Sequence, residues 1–114
     1  MITNLRAAPR EGTAETLLPI SVIVFPGGFN WPLWVAQDEG YFARDGVEVE
    51  LTNTPNSAFQ LTNLIAGKFD IAMTAIDNVV AYMEGQGEAP VATTPDLFVF
   101  MGADNGLSSL AVQA

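Results

Sequence analysis

The sequence predicts an α/β fold built on a mainly parallel sheet. Short apolar runs along the 114-residue chain alternate with segments whose apolar residues recur at helical spacing. Glycine, proline or asparagine stands at most of the boundaries between them. Strands that alternate with helices form βα units, whose crossovers build a parallel sheet. A chain of this length, 49% hydrophobic, is sized for one domain with a packed core.

The first strand is predicted at residues 19–25, where a continuous apolar run indicates burial on both faces. The same run could form the core of a signal peptide. Glu11 and Glu15 interrupt the lead-in, however, and no small-residue cleavage site follows. The strand is the favoured interpretation. Residues 1–16 are then a loose leader, and residues 17–114 form the folded part.

The next elements are a helix and a half-buried strand. Pro32 suits a first helical position and pushes Trp31 out of the helical region, so Trp31 is predicted as the N-cap. The helix is expected over residues 32–45 and stops at a glycine. Residues 47–51 alternate strictly between valine or leucine and glutamate, which predicts a strand near the edge of the sheet.

The pattern of strand and helix then repeats. Two more helices are predicted at residues 57–67, capped by Asn56 or Ser57, and at 78–84, capped by Asp77 or Asn78. Further strands are predicted at residues 71–75 and 97–103, with a possible fifth at 107–114.

The three loops that follow the first three strands should meet at one edge, because ligands of parallel sheets bind outside the carboxyl ends of the strands. Trp31 has no acceptor to cap a helix, so the N–H groups of Leu33, Trp34 and Val35 are expected to be open to a ligand. Phe29 and Trp31 would supply rigid apolar walls. The candidate ligand-binding residues are Phe29, Asn30, Trp31, Thr54, Ser57, Thr74, Asp77 and Asn78.

Each of these residues also has a purely structural interpretation. Asn30 could cap the helix in place of Trp31, and Asp77 is first a helix cap. Thr54 and Ser57 are common turn and cap residues. Trp34 is expected in the core.

Composition argues against several classes of protein. The chain has no cysteine and no histidine, which removes thiolate chemistry, the commonest general base and the commonest metal ligand. We therefore expect no catalysis, metal or cofactor. The net charge is −9 with four scattered basic residues, which argues against nucleic acid, and no apolar run is long enough to cross a membrane.

The motifs "W-x-x-x-x-G-Y-F-x-x-x-G", "VEVEL" and "L-x-x-G-x-F-D-I-A-M-T" together resemble the start of an ABC-transporter substrate-binding protein. The resemblance covers about residues 19–114. It is to the NMT1/THI5-like, or SsuA-like, family of type II periplasmic binding proteins. It implies a two-lobed, extracytoplasmic protein that closes on a small solute and delivers it to an ABC permease. Carried over, the contacts of the first lobe fall on Phe29 to Trp31, on Thr54 to Ser57 and on Thr74 to Asn78.

The chain also departs from that family. Members are much longer and usually carry an export signal, whereas this chain stops where the second lobe would begin. It is therefore interpreted as an amino-terminal part of lobe one. The enzymatic branch that makes a thiamine pyrimidine uses histidine and a cysteine-rich segment, and this chain has neither. A stand-alone ligand-sensing or interaction module is the other alternative.

The solutes bound by the family include sulfonates, nitrate and thiamine-related pyrimidines. An open helix start at Trp31 would suit an anion, whereas Asp77 at the same edge would repel one. The two aromatic walls suit a flat ring. The sequence favours an uncharged or N–H-bearing heterocycle.

Overall fold

The computed structural model describes residues 16–103, which form three strands, four α-helices and one 3₁₀ turn. These elements are, in chain order, β1 (Leu18–Val24), the 3₁₀ turn (Gly28–Asn30), α1 (Trp31–Asp38), α2 (Tyr41–Arg44), β2 (Val47–Asn53), α3 (Ser57–Ile65), β3 (Ile71–Met73) and α4 (Ile76–Met83).

The described strands form one sheet in the order β2-β1-β3, with both pairings parallel. The predicted α/β class, with a parallel sheet of βα units, is confirmed. Val24 at the end of β1 lies opposite Asn53 of β2 and Met73 of β3. All three strands therefore end at the same level. Their following loops leave the sheet from one edge, called the rim below.

The core is centred on the last half of β1. Val22, Ile23 and Val24 are buried, and Leu61 of α3 and Tyr82 of α4 complete the buried apolar set. Successive residues of a strand point to opposite faces, so the burial of Val22, Ile23 and Val24 shows that both faces of β1 are covered in its last half, as its apolar run predicted. Leu18 and Pro19, at the start of β1, are exposed. The alternation predicted for β2 is also present, since Glu48 and Glu50 are exposed while Val47, Val49 and Leu51 are half-buried.

The single helix predicted over residues 32–45 is wrong, because the structure has two shorter helices. Gly40 adopts a left-handed conformation with φ 72° and its N–H donates to the carbonyl of Gln37, which ends α1 as a glycine commonly does. A four-residue helix, α2, follows.

Trp31 is not an N-cap, since it has helical dihedral angles and is the first residue of α1. The 3₁₀ turn runs directly into α1. Trp31 therefore continues a helical segment already begun at Gly28, and the local preference imposed by Pro32 is overridden. The N-cap of α1 is Asn30, whose side chain does not cap the helix.

The cap predicted for α3 is confirmed, whereas the cap predicted for α4 is wrong. Asn56 caps α3, its Oδ1 accepting a hydrogen bond from the Phe59 N–H at 2.7 Å. The cap predicted for α4 at Asp77 or Asn78 is wrong, because that helix begins at Ile76 and its N-cap is Ala75. The Asn78 N–H donates to the Ala75 carbonyl at 3.1 Å, so the first turn closes without a capping side chain.

The strand predicted at residues 97–103 is absent from the structure, which has no regular element there. A strand needs a partner ladder, and hydrophobic run length alone does not supply one. The Leu97 N–H donates to the Met83 sulfur at 3.4 Å, while the side chains of Phe98 to Met101 are exposed. The possible strand at 107–114, and all but the last residue of the predicted leader at 1–16, lie outside the described residues.

Candidate functional site

The carboxyl end of β1 is joined to α3 by one buried side chain. The Gln60 Nε2 donates to the Ile23 carbonyl at 3.1 Å and to the Met73 carbonyl at 3.0 Å. Gln60 is 0% exposed. It therefore bridges β1 and β3 where their ladder ends and fixes the spacing between the first and third rim loops.

The next two carbonyls of the chain also accept hydrogen bonds. The Val24 carbonyl accepts from the Thr54 main-chain N–H at 2.8 Å. The Phe25 carbonyl accepts from the Asn30 Nδ2 at 2.6 Å. Three successive carbonyls, at residues 23 to 25, thus receive donors from α3, from the loop after β2 and from the 3₁₀ turn.

The donors Asn30, Thr54 and Gln60 make up the buried polar set of the described residues, and together they are called the rim clamp. Buried polar groups are costly unless they are hydrogen-bonded. Their convergence on one strand end therefore indicates that the loop positions are closely specified. Two acceptors of the clamp remain unpaired, because the buried Asn30 Oδ1 and Gln60 Oε1 accept no hydrogen bond.

Exposed aromatic rings lie directly beside the clamp. Phe29 and Trp31 flank Asn30, and Trp31 is 64% exposed. Trp31 and Trp34 stack edge to face with ring centroids 6.3 Å apart. Trp34 is itself exposed, so its predicted place in the core is wrong. Both tryptophans instead present apolar surface at the start of α1.

The open helix start expected at α1 is largely closed. The Trp31 N–H donates to the Gly28 carbonyl, and Pro32 has no N–H. Because α1 begins one residue earlier than predicted, the N–H groups of Trp34 and Val35 fall within its hydrogen-bond ladder. Of the three N–H groups predicted to be open, that of Leu33 alone precedes the ladder.

Of the other candidate residues, Thr74, Asn78 and Ser57 form side-chain hydrogen bonds. The Asn78 Nδ2 donates to the Thr74 Oγ1 at 2.9 Å, and the Ser57 hydroxyl donates to the Glu88 carboxylate at 3.0 Å. Asp77 is exposed in the first turn of α4. Within the described residues, no hydrogen bond or ring contact joins Asp77 to the tryptophans.

Two residues of this region were missed from the sequence. Gln60 lies four residues before Leu64 on the apolar side of α3, and a polar residue in that position is the signal that could have revealed it. Glu88 lies in the irregular segment after α4. No local pattern indicates that its carboxylate reaches the start of α3.

A family model described as NMT1/THI5-like matches residues 30–99. The match covers more than half of the chain. The chain belongs to the NMT1/THI5-like family. The matched range begins at Asn30 of the rim clamp, and it contains every candidate residue except Phe29.

A relative supports the same assignment. The chain is 32% identical over 74 residues to the Bacillus subtilis (strain 168) protein named "Putative binding protein YtlA". The aligned region is 64% of this chain and 22% of that relative, so the chain spans about a fifth of the relative's length. No solved structure matches the chain.

The described residues lack two other kinds of feature, and a depression in them lies apart from the rim. They contain no group of three or more metal-ligating side chains and no helix long and apolar enough to cross a membrane. A shallow depression of about 320 Å³ lies along β1 and β2, away from the rim, and is lined by Pro19, Ile20, Ser21, Glu48, Val49, Glu50 and Asp70. None of the three rim loops contributes to it.

Proposed function

We propose that this member of the NMT1/THI5-like family is the solute-binding component of an ABC-type transporter. It binds a small organic molecule at the rim and passes the molecule to a permease. The observation that carries the proposal is the level ending of three parallel strands, whose loops are held by the rim clamp beside the exposed ring of Trp31. Ligands of open α/β sheets bind at that edge.

The wider protein is proposed on the same family grounds. A second lobe would close over the rim, and the protein would act outside the cytoplasm. This chain would then be the amino-terminal part of lobe one. Phe29, Trp31 and Asp77 are the proposed contact residues, because their side chains are exposed. Thr74 and Asn78 contribute as a hydrogen-bonded pair, and Asn30, Thr54 and Ser57 hold the loops.

A single substitution tests whether Trp31 contacts a solute. Trp31→Ala should weaken binding by about 1–3 kcal/mol, as at hot-spot aromatic residues, while Trp31→Phe should retain most of it. Binding is measured by ligand-observed NMR of the full chain against a panel of sulfonates, nitrate, pyrimidines and amines. Circular dichroism establishes that the variants are folded.

The matched control is Tyr41→Ala. Tyr41 is also an exposed aromatic residue, but it lies in α2, before the amino end of β2, with Arg44 over its ring at 4.8 Å. Loss of binding in Trp31→Ala with no loss in Tyr41→Ala supports the proposal. A folded Trp31→Ala chain that binds every active solute as tightly as wild type contradicts it.

A further inference from the structure

We propose that the rim selects a solute that donates hydrogen bonds through N–H groups, whether cationic or neutral, and excludes anions. This inference rests on the proposed solute-binding function and names the chemical class of the solute. It follows from the location of positive and negative charge, from the hydrogen bonds at the helix starts and from the exposed carboxylates at the rim.

Positive charge is absent from the described part of the rim. Of residues 16–103, only Arg44 and Lys68 are basic. Arg44 ends α2 just before β2 begins, and Lys68 lies three residues before β3 begins. Both therefore lie at the amino ends of the strands, opposite the rim. An anion at the rim would find no partner of opposite charge in the described chain and would also face the field of a chain with net charge −9.

The three helix starts are also poor anion sites, although helix starts commonly bind anions. At α1 the preceding 3₁₀ turn and Pro32 leave few free N–H groups. At α3 the Asn56 side chain takes the Phe59 N–H, and the Glu88 carboxylate already binds the Ser57 hydroxyl. At α4 the Asp77 carboxylate lies in the first turn. Two of the three helix starts at the rim, those of α3 and α4, therefore each have an acidic side chain beside them.

The acceptors at the rim exceed what the protein itself uses. The exposed Asp77 carboxylate has no hydrogen bond with a described residue, and the Glu88 carboxylate, also exposed, accepts one hydrogen bond, from the Ser57 hydroxyl. Meanwhile the Gln60 amide donates to two main-chain carbonyls and the Ser57 hydroxyl donates to a carboxylate. This imbalance favours a partner that brings donors.

Four probes that share one phenyl ring test the inference: benzamidinium, benzamide, benzoate and benzenesulfonate. Each is titrated into the full chain, uniformly labelled with nitrogen-15, and the two tryptophan indole N–H signals are followed, with Trp34→Phe assigning them. Benzamidinium and benzamide should shift the Trp31 signal in the millimolar range. Benzoate and benzenesulfonate should leave it unchanged.

Three charge variants identify the groups responsible. Asp77→Asn should weaken benzamidinium binding about two- to fivefold, the range of exposed ion pairs, and should leave benzamide binding nearly unchanged. Glu88→Gln should do the same, provided that amide exchange shows α3 still formed. The control Glu48→Gln makes the same charge change on the exposed side of β2, away from the rim, and should change neither affinity.

The possible outcomes separate the two proposals. Binding of benzoate or benzenesulfonate at Trp31 that equals or exceeds binding of benzamidinium overturns the inference and leaves the solute-binding function standing. Equal losses in Asp77→Asn and Glu48→Gln mean that cations respond to net charge alone, which also overturns the inference. If none of the four probes, nor any member of the wider solute panel, shifts Trp31, both proposals are wrong.

Discussion

The two ends of the sheet use the same kind of hydrogen bond in opposite surroundings. At the carboxyl end, the side-chain and main-chain donors of the rim clamp bind the carbonyls of residues 23 to 25, at and just after the end of β1. At the amino end, the exposed Asp70 carboxylate accepts from the Ser21 N–H at 2.9 Å and from the Ser21 hydroxyl at 3.0 Å. Both arrangements hold a strand in register. The side-chain bonds of the rim clamp are buried or partly buried, whereas both bonds of the Asp70 carboxylate are exposed.

Because the surroundings differ, the free energy lost on breaking a hydrogen bond should differ between the two ends of the sheet. A buried carbonyl that loses its donor keeps the full desolvation penalty, whereas an exposed one regains a hydrogen bond with water. Removing a donor of the rim clamp should therefore lower the free energy of unfolding more than removing a donor or acceptor at the amino end. A rim that positions a solute benefits from this asymmetry, because its loops are fixed before the solute arrives.

The largest expected effect comes from Gln60→Met, which keeps the side-chain length and removes both donated hydrogen bonds. The carbonyls of the buried Ile23 and the half-buried Met73 lose their donor, so the free energy of unfolding should fall by about 2–4 kcal/mol. Urea unfolding followed by circular dichroism measures it. The matched control is Gln37→Met, because the exposed Gln37 Nε2 also donates to a strand carbonyl, that of Val49, at 2.9 Å.

Gln37→Met should cost less than about 0.5 kcal/mol, as do most exposed substitutions. Equal losses in the two variants would show that burial does not distinguish the ends of the sheet, and the comparison would fail.

Asn30→Ala should have the next largest effect, about 1–3 kcal/mol, because the Phe25 carbonyl loses its buried donor. The change should also release the loop at residues 25–30, so the emission of the adjacent Trp31 should shift toward that of free tryptophan. Asn63→Ala is the control, since the Asn63 Nδ2 makes an exposed bond back to the Phe59 carbonyl at 2.8 Å. It should leave both stability and emission nearly unchanged.

If Asn30→Ala lowers stability but leaves Trp31 emission and the amide exchange of residues 25–30 as in wild type, the side chain does not position the rim loop.

Much of the fold could be predicted because apolar periodicity records local burial. The continuous run of β1 and the alternation of β2 are direct consequences of their places in the sheet. The split between α1 and α2 could have been predicted from Gly40, whose left-handed conformation is available to glycine at little cost. The absent strand at 97–103 could not, because pairing depends on distant neighbours.

The meeting of the three strand ends could be predicted, whereas the hydrogen bonds that hold their loops could not. Strand ends and loop positions follow from the βα pattern, and the common edge expected for the three loops is present. The bonds of Gln60 and Asn30 depend on carbonyls that the sequence does not show, so both roles were missed. Asp77 and Trp31 were predicted at N-caps but lie in the first turns of α4 and α1, because main-chain hydrogen bonds close those turns without a capping side chain.

Thr54→Val should have a smaller effect than either amide substitution. The clamp bond of Thr54 to the Val24 carbonyl is made by its main-chain N–H and survives the substitution. What is lost is the bond from the Thr54 hydroxyl to the Asn56 carbonyl, 2.7 Å long. The expected loss is about 1 kcal/mol of the free energy of unfolding, measured by urea unfolding.

Because only the hydroxyl bond is removed, Thr54→Val should leave the amide exchange of Thr54 itself protected. Faster exchange at that amide would mean that the side chain, rather than the strand register, holds the second rim loop.

The smallest effect is expected at the amino end, and it depends on pH. The main-chain and hydroxyl hydrogen bonds from Ser21 lower the pKa of the Asp70 carboxyl below its ordinary value of 3.8. A carboxyl whose pKa is lower in the folded state stabilises the fold above its unfolded-state pKa, and this contribution is lost as the pH falls through the folded-state pKa.

Asp70→Asn should therefore be slightly less stable than wild type at neutral pH. That difference should shrink below about pH 4, because protonation then removes the same charge from wild type. Asp45→Asn is the control with an equal change in net charge, since the Asp45 side chain is also exposed. Urea midpoints at several pH values decide between them. Asp70→Asn could lose as much stability at neutral pH as Gln60→Met does. The two ends of the sheet would then contribute equally to stability, and the asymmetry inferred for them would be wrong.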